Sequence, residues 1–168
     1  PYLMTRDPAR FNASRLLEAA NLVGAGPNVL PQLATNAASD DSGVRFWAAV
    51  GMNDLLDELE AGPKQEAVEK LSQLVEDPAP AVRYAAAEAL CRAGEAEVGL
   101  PVLVKGLDHD EPTTKLAAAI ALVHVADHAG PVMPQIIQKR KAIDRRKLGT
   151  YGLYIQWALQ EVAMMHAE

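Results

Sequence analysis

Cysteine and aromatic residues are scarce in this chain, and long apolar runs are missing. One cysteine among 168 residues excludes a disulfide within the chain and leaves the redox compartment undetermined. Aromatic residues make up only 5% of the sequence, so smaller apolar side chains must fill most of the core. No run of 18 apolar residues occurs, and we therefore expect no membrane-spanning helix.

Signals that direct a protein to a compartment are also missing from the sequence. No secretory signal peptide is visible, and the chain begins with Pro1 instead of methionine. This start predicts that the chain is a piece of a longer protein. The sequence therefore leaves the cellular location open.

Negative charge is abundant in most of the chain and scarce at its end. The net charge is −6, and residues 139–168 alone carry a surplus of positive charge, with six Lys or Arg against three acids. Most of the surface should therefore repel nucleic acid, and we expect neither a nucleic acid nor a membrane as partner.

One short pattern occurs three times: a basic residue followed by alanines and a closing apolar residue. The copies lie at residues 44–52, 82–90 and 114–122, and their basic residues, 38 and 32 positions apart, are Arg45, Arg83 and Lys115. Recurrence at this period is typical of solenoids, whose stacked units offer a long surface for binding.

Apolar residues between the turns recur with helical spacing, and no segment has the alternation of a strand. We therefore predict an all-α fold, a right-handed solenoid of about four helical hairpins after an N-terminal helix. The chain would form a single domain that consists of a lead-in at residues 1–11, a helix within 12–26 and hairpins at 27–62, 63–97, 98–130 and 131–168.

Alanine clusters mark the second, or return, helix of each hairpin. Small side chains let neighbouring helices approach closely, so we expect buried alanines at positions 48, 49, 85, 86, 87, 117, 118 and 119. Trp47 and Trp157, the two largest side chains, also occupy positions where we expect core residues.

The clearest unit runs from Asp77 through Arg83 to Leu90: an Asp-Pro turn, then Val-Arg, then an alanine-rich helix that closes with Ala-Leu. This pattern resembles the HEAT-repeat family over roughly residues 28–168. The resemblance implies a hydrogen-bonded ladder of Asp and Arg between neighbouring repeats. Its members here would be Asp41, Arg45, Asp77, Arg83, Asp110 and Lys115. Asp40 and Asp108 are alternatives in the looser units, and lysine lacks the planar fork of arginine.

A narrower resemblance concerns the C-terminal HEAT-type extension of certain bacterial sulfatases. It involves the lead-in through Pro8, the helix around Arg15–Leu22, and the segments Phe46–Gly51 and Glu88–Arg92. The resemblance implies a parent enzyme that hydrolyses sulfate esters with a formylglycine and calcium, in the periplasm or outside the cell; otherwise we expect the cytoplasm. The Cys/Ser-x-Pro-x-Arg motif of that enzyme is missing here, so this chain would be the non-catalytic tail.

Few residues suggest a chemical site. His124 and His128 are four apart on one predicted helix, a spacing that zinc ligands use, although two surface histidines near a helix end are the simpler interpretation. Cys91 is most simply a small buried side chain. Six basic residues in nine could contact an acidic partner or complete a solvated helix end: Lys139, Arg140, Lys141, Arg145, Arg146 and Lys147.

These patterns favour a non-catalytic interaction module, most simply the C-terminal part of a sulfatase-like hydrolase. Its partner would be a protein or the parent's own catalytic domain, without any cofactor. Pairing of copies through a solenoid end is possible. The alternatives are a free-standing protein-binding scaffold and, less favoured, a HEAT-type enzyme that attaches bilin pigments. No paired carboxylates, Ser/His/Asp group or glycine-rich phosphate loop supports the enzyme.

Overall fold

The computed structural model describes residues 12–166, and this part of the chain is helical without any strand. Ten α-helices follow one another in it. Their bounds are α1 Ala13–Ala20, α2 Leu30–Asn36, α3 Ser42–Leu55, α4 Ala61–Leu74, α5 Pro80–Ala93, α6 Ala96–Gly106, α7 Pro112–His124, α8 Met133–Ala142, α9 Arg145–Leu148 and α10 Thr150–Met164. None of these helices combines the length and apolar character that crossing a membrane needs.

The helices pack as consecutive hairpins in a HEAT-like helical repeat solenoid, and this confirms the predicted all-α class. Helix α2 packs on α3, α4 on α5, α6 on α7 and α8 on α10. The return helices also stack on one another in the order α3, α5, α7 and α10. Helix α1 packs on α3, where the return helix of a preceding unit would lie. The predicted lead-in, residues 1–11, lies outside the described residues.

Alanines form the contact between return helices, as the repeated pattern predicts. Six of them are completely buried: Ala48, Ala49, Ala86, Ala87, Ala118 and Ala119. Ala85 is only partly buried, and Ala117 is exposed, so the prediction was wrong for Ala117. Adjacent helical residues are rotated by about 100°, and three consecutive positions therefore cannot all face the same neighbours.

Local backbone geometry interrupts two of the predicted hairpins. In the hairpin predicted at 98–130, α7 ends at His124, because Val125 leaves helical geometry and a 3-10 turn follows at Ala126–His128. In the hairpin predicted at 131–168, the short helix α9 is separated from α10 by Gly149, whose φ of 56° lies in the left-handed region. Glycine adopts that conformation without the steric cost that a Cβ would add.

Candidate functional site

One complete Asp–Arg pair of the ladder joins the first hairpin to the second, and we call this pair, Arg45 with Asp77, the Arg45–Asp77 rung. Arg45 on α3 donates from Nε and Nη2 to the two carboxylate oxygens of Asp77, at 2.5 and 2.9 Å. Nη1 of Arg45 donates to Ser39 O at 2.8 Å, and Asp77 Oδ1 accepts the backbone N–H of Ala79 at 2.8 Å. This bidentate pair therefore joins two hairpins and holds both of their turns.

The Arg45 guanidinium lowers the pKa of Asp77, chiefly through its hydrogen bonds, and the pair correspondingly raises the pKa of Arg45. Asp77 is 7% exposed, so solvent screens the pair weakly.

Asp77, the acidic residue of this pair, lies six residues before Arg83, the arginine of the same hairpin. The same spacing selects Ser39 before Arg45 and His109 before Lys115. Each of the three side chains accepts the backbone N–H two residues later, with Ser39 serving Asp41 at 3.1 Å and His109 serving Glu111 at 3.0 Å. Ser39 also accepts a hydrogen bond from Arg15 at 2.8 Å. Sequence reasoning missed Arg15 and Ser39. It gave His109 a capping or solvated role in its turn, which the hydrogen bond from Glu111 N–H fits, but it did not identify the ladder position of this residue.

The structure places the other predicted ladder residues differently. Asp41 caps α3 by accepting the N–H of Gly43 at 2.8 Å, and it lies two residues past the ladder position. Asp110 is exposed, and Lys115 is partly buried. Neither side chain makes a hydrogen bond or ion pair within residues 12–166 as described. Arg83 donates from Nη1 to Asp77 O at 2.7 Å and to Pro78 O at 3.1 Å.

The Arg45–Asp77 rung should make stability depend on acid pH. The pKa of Asp77 is lower in the folded chain than the unfolded value of about 3.9. The stabilisation by the Arg45–Asp77 pair is therefore complete above the unfolded-state pKa of Asp77, and it is lost as the pH falls through the folded-state pKa. Urea unfolding of the wild type and Asp77→Asn should show a gap in unfolding free energy that is wide at pH 7 and closes toward about pH 2.

Asp40→Asn is a suitable control for this titration. The pKa of Asp40 is also lowered, by its hydrogen bond with Arg15, but Asp40 is fully solvent-exposed. Its substitution should leave the pH dependence close to that of the wild type, because solvent screens such a pair. A gap for Asp77→Asn that stays constant with pH would contradict the role given to the rung.

The basic segment is divided among different contacts. Lys139 forms an ion pair with Asp108 of the preceding hairpin, and Arg140 hydrogen-bonds to Gln160 of α10. Both residues thereby tie α8 to its neighbours. Lys141 is exposed, and so are the basic residues of the short helix α9, Arg145, Arg146 and Lys147. Asp144 caps α9 by accepting the N–H groups of residues 146 and 147.

Helix α10 exposes a large apolar surface beside these cations. Five of the eight exposed large hydrophobic side chains among the described residues belong to this helix or its C-cap: Tyr151, Tyr154, Trp157, Met164 and Met165. Tyr154 and Trp157 pack edge to face with centroids 5.7 Å apart. A shallow groove of about 370 Å³ runs between Trp157 and the side chains of Arg140 and Lys141. We call this surface the α10 face.

The prediction that Trp157 fills the core was wrong, since this side chain is 58% exposed. Its helix is the last of the described helices, and no further described helix packs against that side. A return helix without a described neighbour on one side leaves core-like positions uncovered there, and that rule was available from the sequence. Trp47, in contrast, is partly buried and packs edge to face on Phe46 at 5.3 Å.

The histidine pair does not have the geometry that its spacing suggested. Helix α7 ends at His124, so His128 lies in the following 3-10 turn instead of on the same helical face. His124 contacts Glu88 at 3.0 Å, and His128 approaches Asp127 at 3.5 Å. Residues 12–166 contain no group of three His, Cys, Asp or Glu side chains placed to hold a metal ion.

Cys91 is fully buried between α5 and α6. Burial, assisted by the charge of Glu88, raises the pKa of its thiol to about 12. The thiol is therefore protonated at neutral pH and packs as a small apolar group.

Residues 67–148 match the family of HEAT repeats. Those residues begin within α4 and end with α9, so they include most of the second hairpin and all of the third. No curated protein matches the chain. HEAT repeats generally form non-catalytic helical scaffolds that bind proteins. The matched segment and the stacked hairpins together support a HEAT-repeat family for this chain.

Proposed function

We propose that this chain is a non-catalytic protein-binding module whose contact surface includes the α10 face. The observation that carries the proposal is the clustering of exposed aromatic and methionine side chains on one helix. Monomeric proteins rarely leave such patches uncovered, and Trp, Tyr, Met and Arg are enriched where proteins bind one another.

Charge around the α10 face defines the kind of partner. Arg140 and Lys141 border the groove beside Trp157, and three further basic residues are exposed on α9. An acidic protein segment that carries an apolar side chain would satisfy both features, because its carboxylates would face cations while the apolar group covers Trp157. Two copies joined symmetrically through this face would bring the cations beside Trp157 together, and α10 offers one acid, the exposed Glu161, to offset them. The proposal therefore commits to an acidic partner.

The test begins with peptides selected for binding to the whole chain from a random-sequence display library. Selected peptides should be rich in Asp and Glu next to an apolar residue. Trp157→Ala should weaken their binding at least about tenfold, as expected of a buried aromatic anchor. Lys141→Glu should weaken it as well, and affinity should fall as salt is added. Isothermal titration calorimetry would measure each dissociation constant.

Leu17→Ala is the matched control, since Leu17 is an exposed apolar residue on α1, in another part of the solenoid. Its dissociation constants should equal those of the wild type. Peptides whose binding survives both Trp157→Ala and Lys141→Glu would overturn the proposal for the α10 face. Concentration-dependent dimerisation abolished by Trp157→Ala would replace the acidic partner with a second copy.

We further propose that this binding module is the C-terminal part of a sulfatase-like enzyme. This part of the proposal rests on the sequence resemblance alone. In such an enzyme, the α9 cations would dock on an acidic face of the catalytic domain. A reading frame upstream of Pro1 that encodes Cys/Ser-x-Pro-x-Arg would support it. If such a parent is found, charge reversal at Arg145, Arg146 and Lys147 should weaken the association, and an unchanged affinity would remove the docking role of α9.

A further inference from the structure

A cavity of about 670 Å³ lies between the second and third hairpins, beside the turns that lead into α5 and α7. Its wall includes Arg83, Tyr84, Lys105 and His109. His109 occupies, in the third hairpin, the ladder position that Asp77 occupies in the second. The cavity therefore lies beside a ladder position without a carboxylate. We call it the ladder-gap cavity.

Arg83 and Arg45 make the same contact with their own turns but differ in what else they bind. Nη1 of Arg45 donates to Ser39 O, and Nη1 of Arg83 donates to Asp77 O. Arg45 then gives Nε and Nη2 to a carboxylate of the next unit. Arg83 donates to two backbone carbonyls, and its guanidinium also lies 6.0 Å from the centre of the Tyr84 ring, so no carboxylate of the described residues fills the place that Asp77 fills on Arg45. Its Nε and Nη2 thus remain available on the cavity side of the ladder.

Tyr84 forms part of the cavity wall beside Arg83, whose guanidinium lies 6.0 Å from the centre of the tyrosine ring. The side chain is 4% exposed, and the end of its ring lies against Gly106, where an added Cβ would be 2.8 Å from ring atoms. Burial raises the pKa of the hydroxyl, and the Arg83 guanidinium opposes that rise. Because the hydroxyl oxygen is closed off from solvent, the Arg83 guanidinium is the donor that a ligand in the cavity would meet.

The charges of the cavity wall favour a single anion near Arg83. Two of its three acids are already paired, Asp77 with Arg45 and Asp108 with Lys139. Glu76 is exposed on the rim and would oppose an anion from that side, whereas Lys105 on the rim would attract one.

We propose that the ladder-gap cavity binds the carboxylate group of a ligand, which takes on Arg83 the position that Asp77 takes on Arg45. The guanidinium fork matches a carboxylate in two parallel hydrogen bonds. The carboxylate would come from a free organic acid or from an Asp or Glu side chain of a bound protein. The site is separate from the α10 face, so neither proposal depends on the other.

Titration of the isotope-labelled chain, followed through the Nε–H resonance of Arg83 by NMR, tests this proposal. One arm uses succinate with succinamide as its neutral analogue, and the other uses a blocked Gly-Asp-Gly tripeptide with its Gly-Asn-Gly analogue. A saturable shift with a dissociation constant on the order of 1–10 mM is expected for a carboxylate held by one partly exposed arginine. Tighter binding of succinate identifies a free acid as the ligand, and tighter binding of the tripeptide identifies a protein side chain.

His109→Asp is the decisive variant, because it supplies the missing carboxylate from within the chain while keeping an acceptor for the N–H of Glu111. It should raise the melting temperature and weaken carboxylate binding at least tenfold. Glu76→Gln should strengthen binding, and Arg92→Lys on the surface of α5 should leave it unchanged. No saturable shift in either arm, equal shifts from the neutral analogues, or undiminished binding to His109→Asp would overturn the proposal.

Discussion

Asp77→Ala should lower the free energy of unfolding by about 3 kcal/mol, because it leaves the guanidinium of Arg45 mostly buried without its counter-charge. The same substitution removes the acceptor for the N–H of Ala79 at the start of α5. That hydrogen bond closes the turn before α5, and the loss of one such bond costs about 1 kcal/mol. Urea unfolding followed by far-ultraviolet circular dichroism at pH 7 would measure the change.

Two comparisons make the effect of Asp77→Ala specific to the rung. Asp110→Ala removes an exposed carboxylate from the next turn and should change stability by less than about 0.5 kcal/mol. The double substitution Arg45→Met with Asp77→Leu removes both charges and should recover much of the loss, since apolar pairs often replace buried ion pairs at little cost. A loss below about 1 kcal/mol for Asp77→Ala would show that the rung contributes little.

Gly99→Ala should lower the free energy of unfolding by roughly 2 kcal/mol even though alanine favours helices. Gly99 lies in α6 against α5, and a Cβ there would collide with Ala87 O and approach Cys91 Sγ to 2.6 Å. A backbone carbonyl cannot move aside as the end of a side chain can. The two helices of adjacent hairpins would have to separate, and that costs more than the gain in helix propensity, about 1 kcal/mol.

Gly62→Ala in α4 is the matched control for Gly99→Ala. No heavy atom lies within 4 Å of the position that its Cβ would take. This substitution should therefore raise stability by about 0.5–1 kcal/mol. Chemical denaturation of both variants measures the difference directly. A stabilised Gly99→Ala variant would mean that α5 and α6 are not in close contact in solution.

Much of the fold could be predicted from the sequence because its causes are local. The apolar spacing, the Pro-containing turns and the alanine clusters each act within one helix or one turn, and they predicted the order of the hairpins. Gly94, with φ of 100°, ends α5 close to residue 97, the predicted end of the second hairpin. The early end of α7 was missed, because burial of Val125, Ala126 and Ala129 against other helices favours the tighter turn.

The ladder shows where local reasoning is insufficient. Asp41, Asp77 and Asp110 all lie in similar turns, yet only Asp77 reaches an arginine of the preceding unit. Asp41 and Asp110 lie two residues past the positions equivalent to Asp77, and from there a side chain does not contact the arginine of the preceding hairpin. The choice of Ser39 and His109 as the equivalent positions became clear once the hydrogen bonds to Asp41 N and Glu111 N were known.

The sequence by itself determined that this protein is a stack of helical hairpins joined by small residues, because helix period and residue size are written along the chain. The tertiary structure decided what each polar or aromatic side chain does. It assigned Lys139 and Arg140 to contacts within the solenoid, exposed Trp157 on α10, and placed Arg83 and Tyr84 on one cavity. These outcomes depend on which surfaces the neighbouring repeats cover, and that is settled by contacts between residues far apart in the chain.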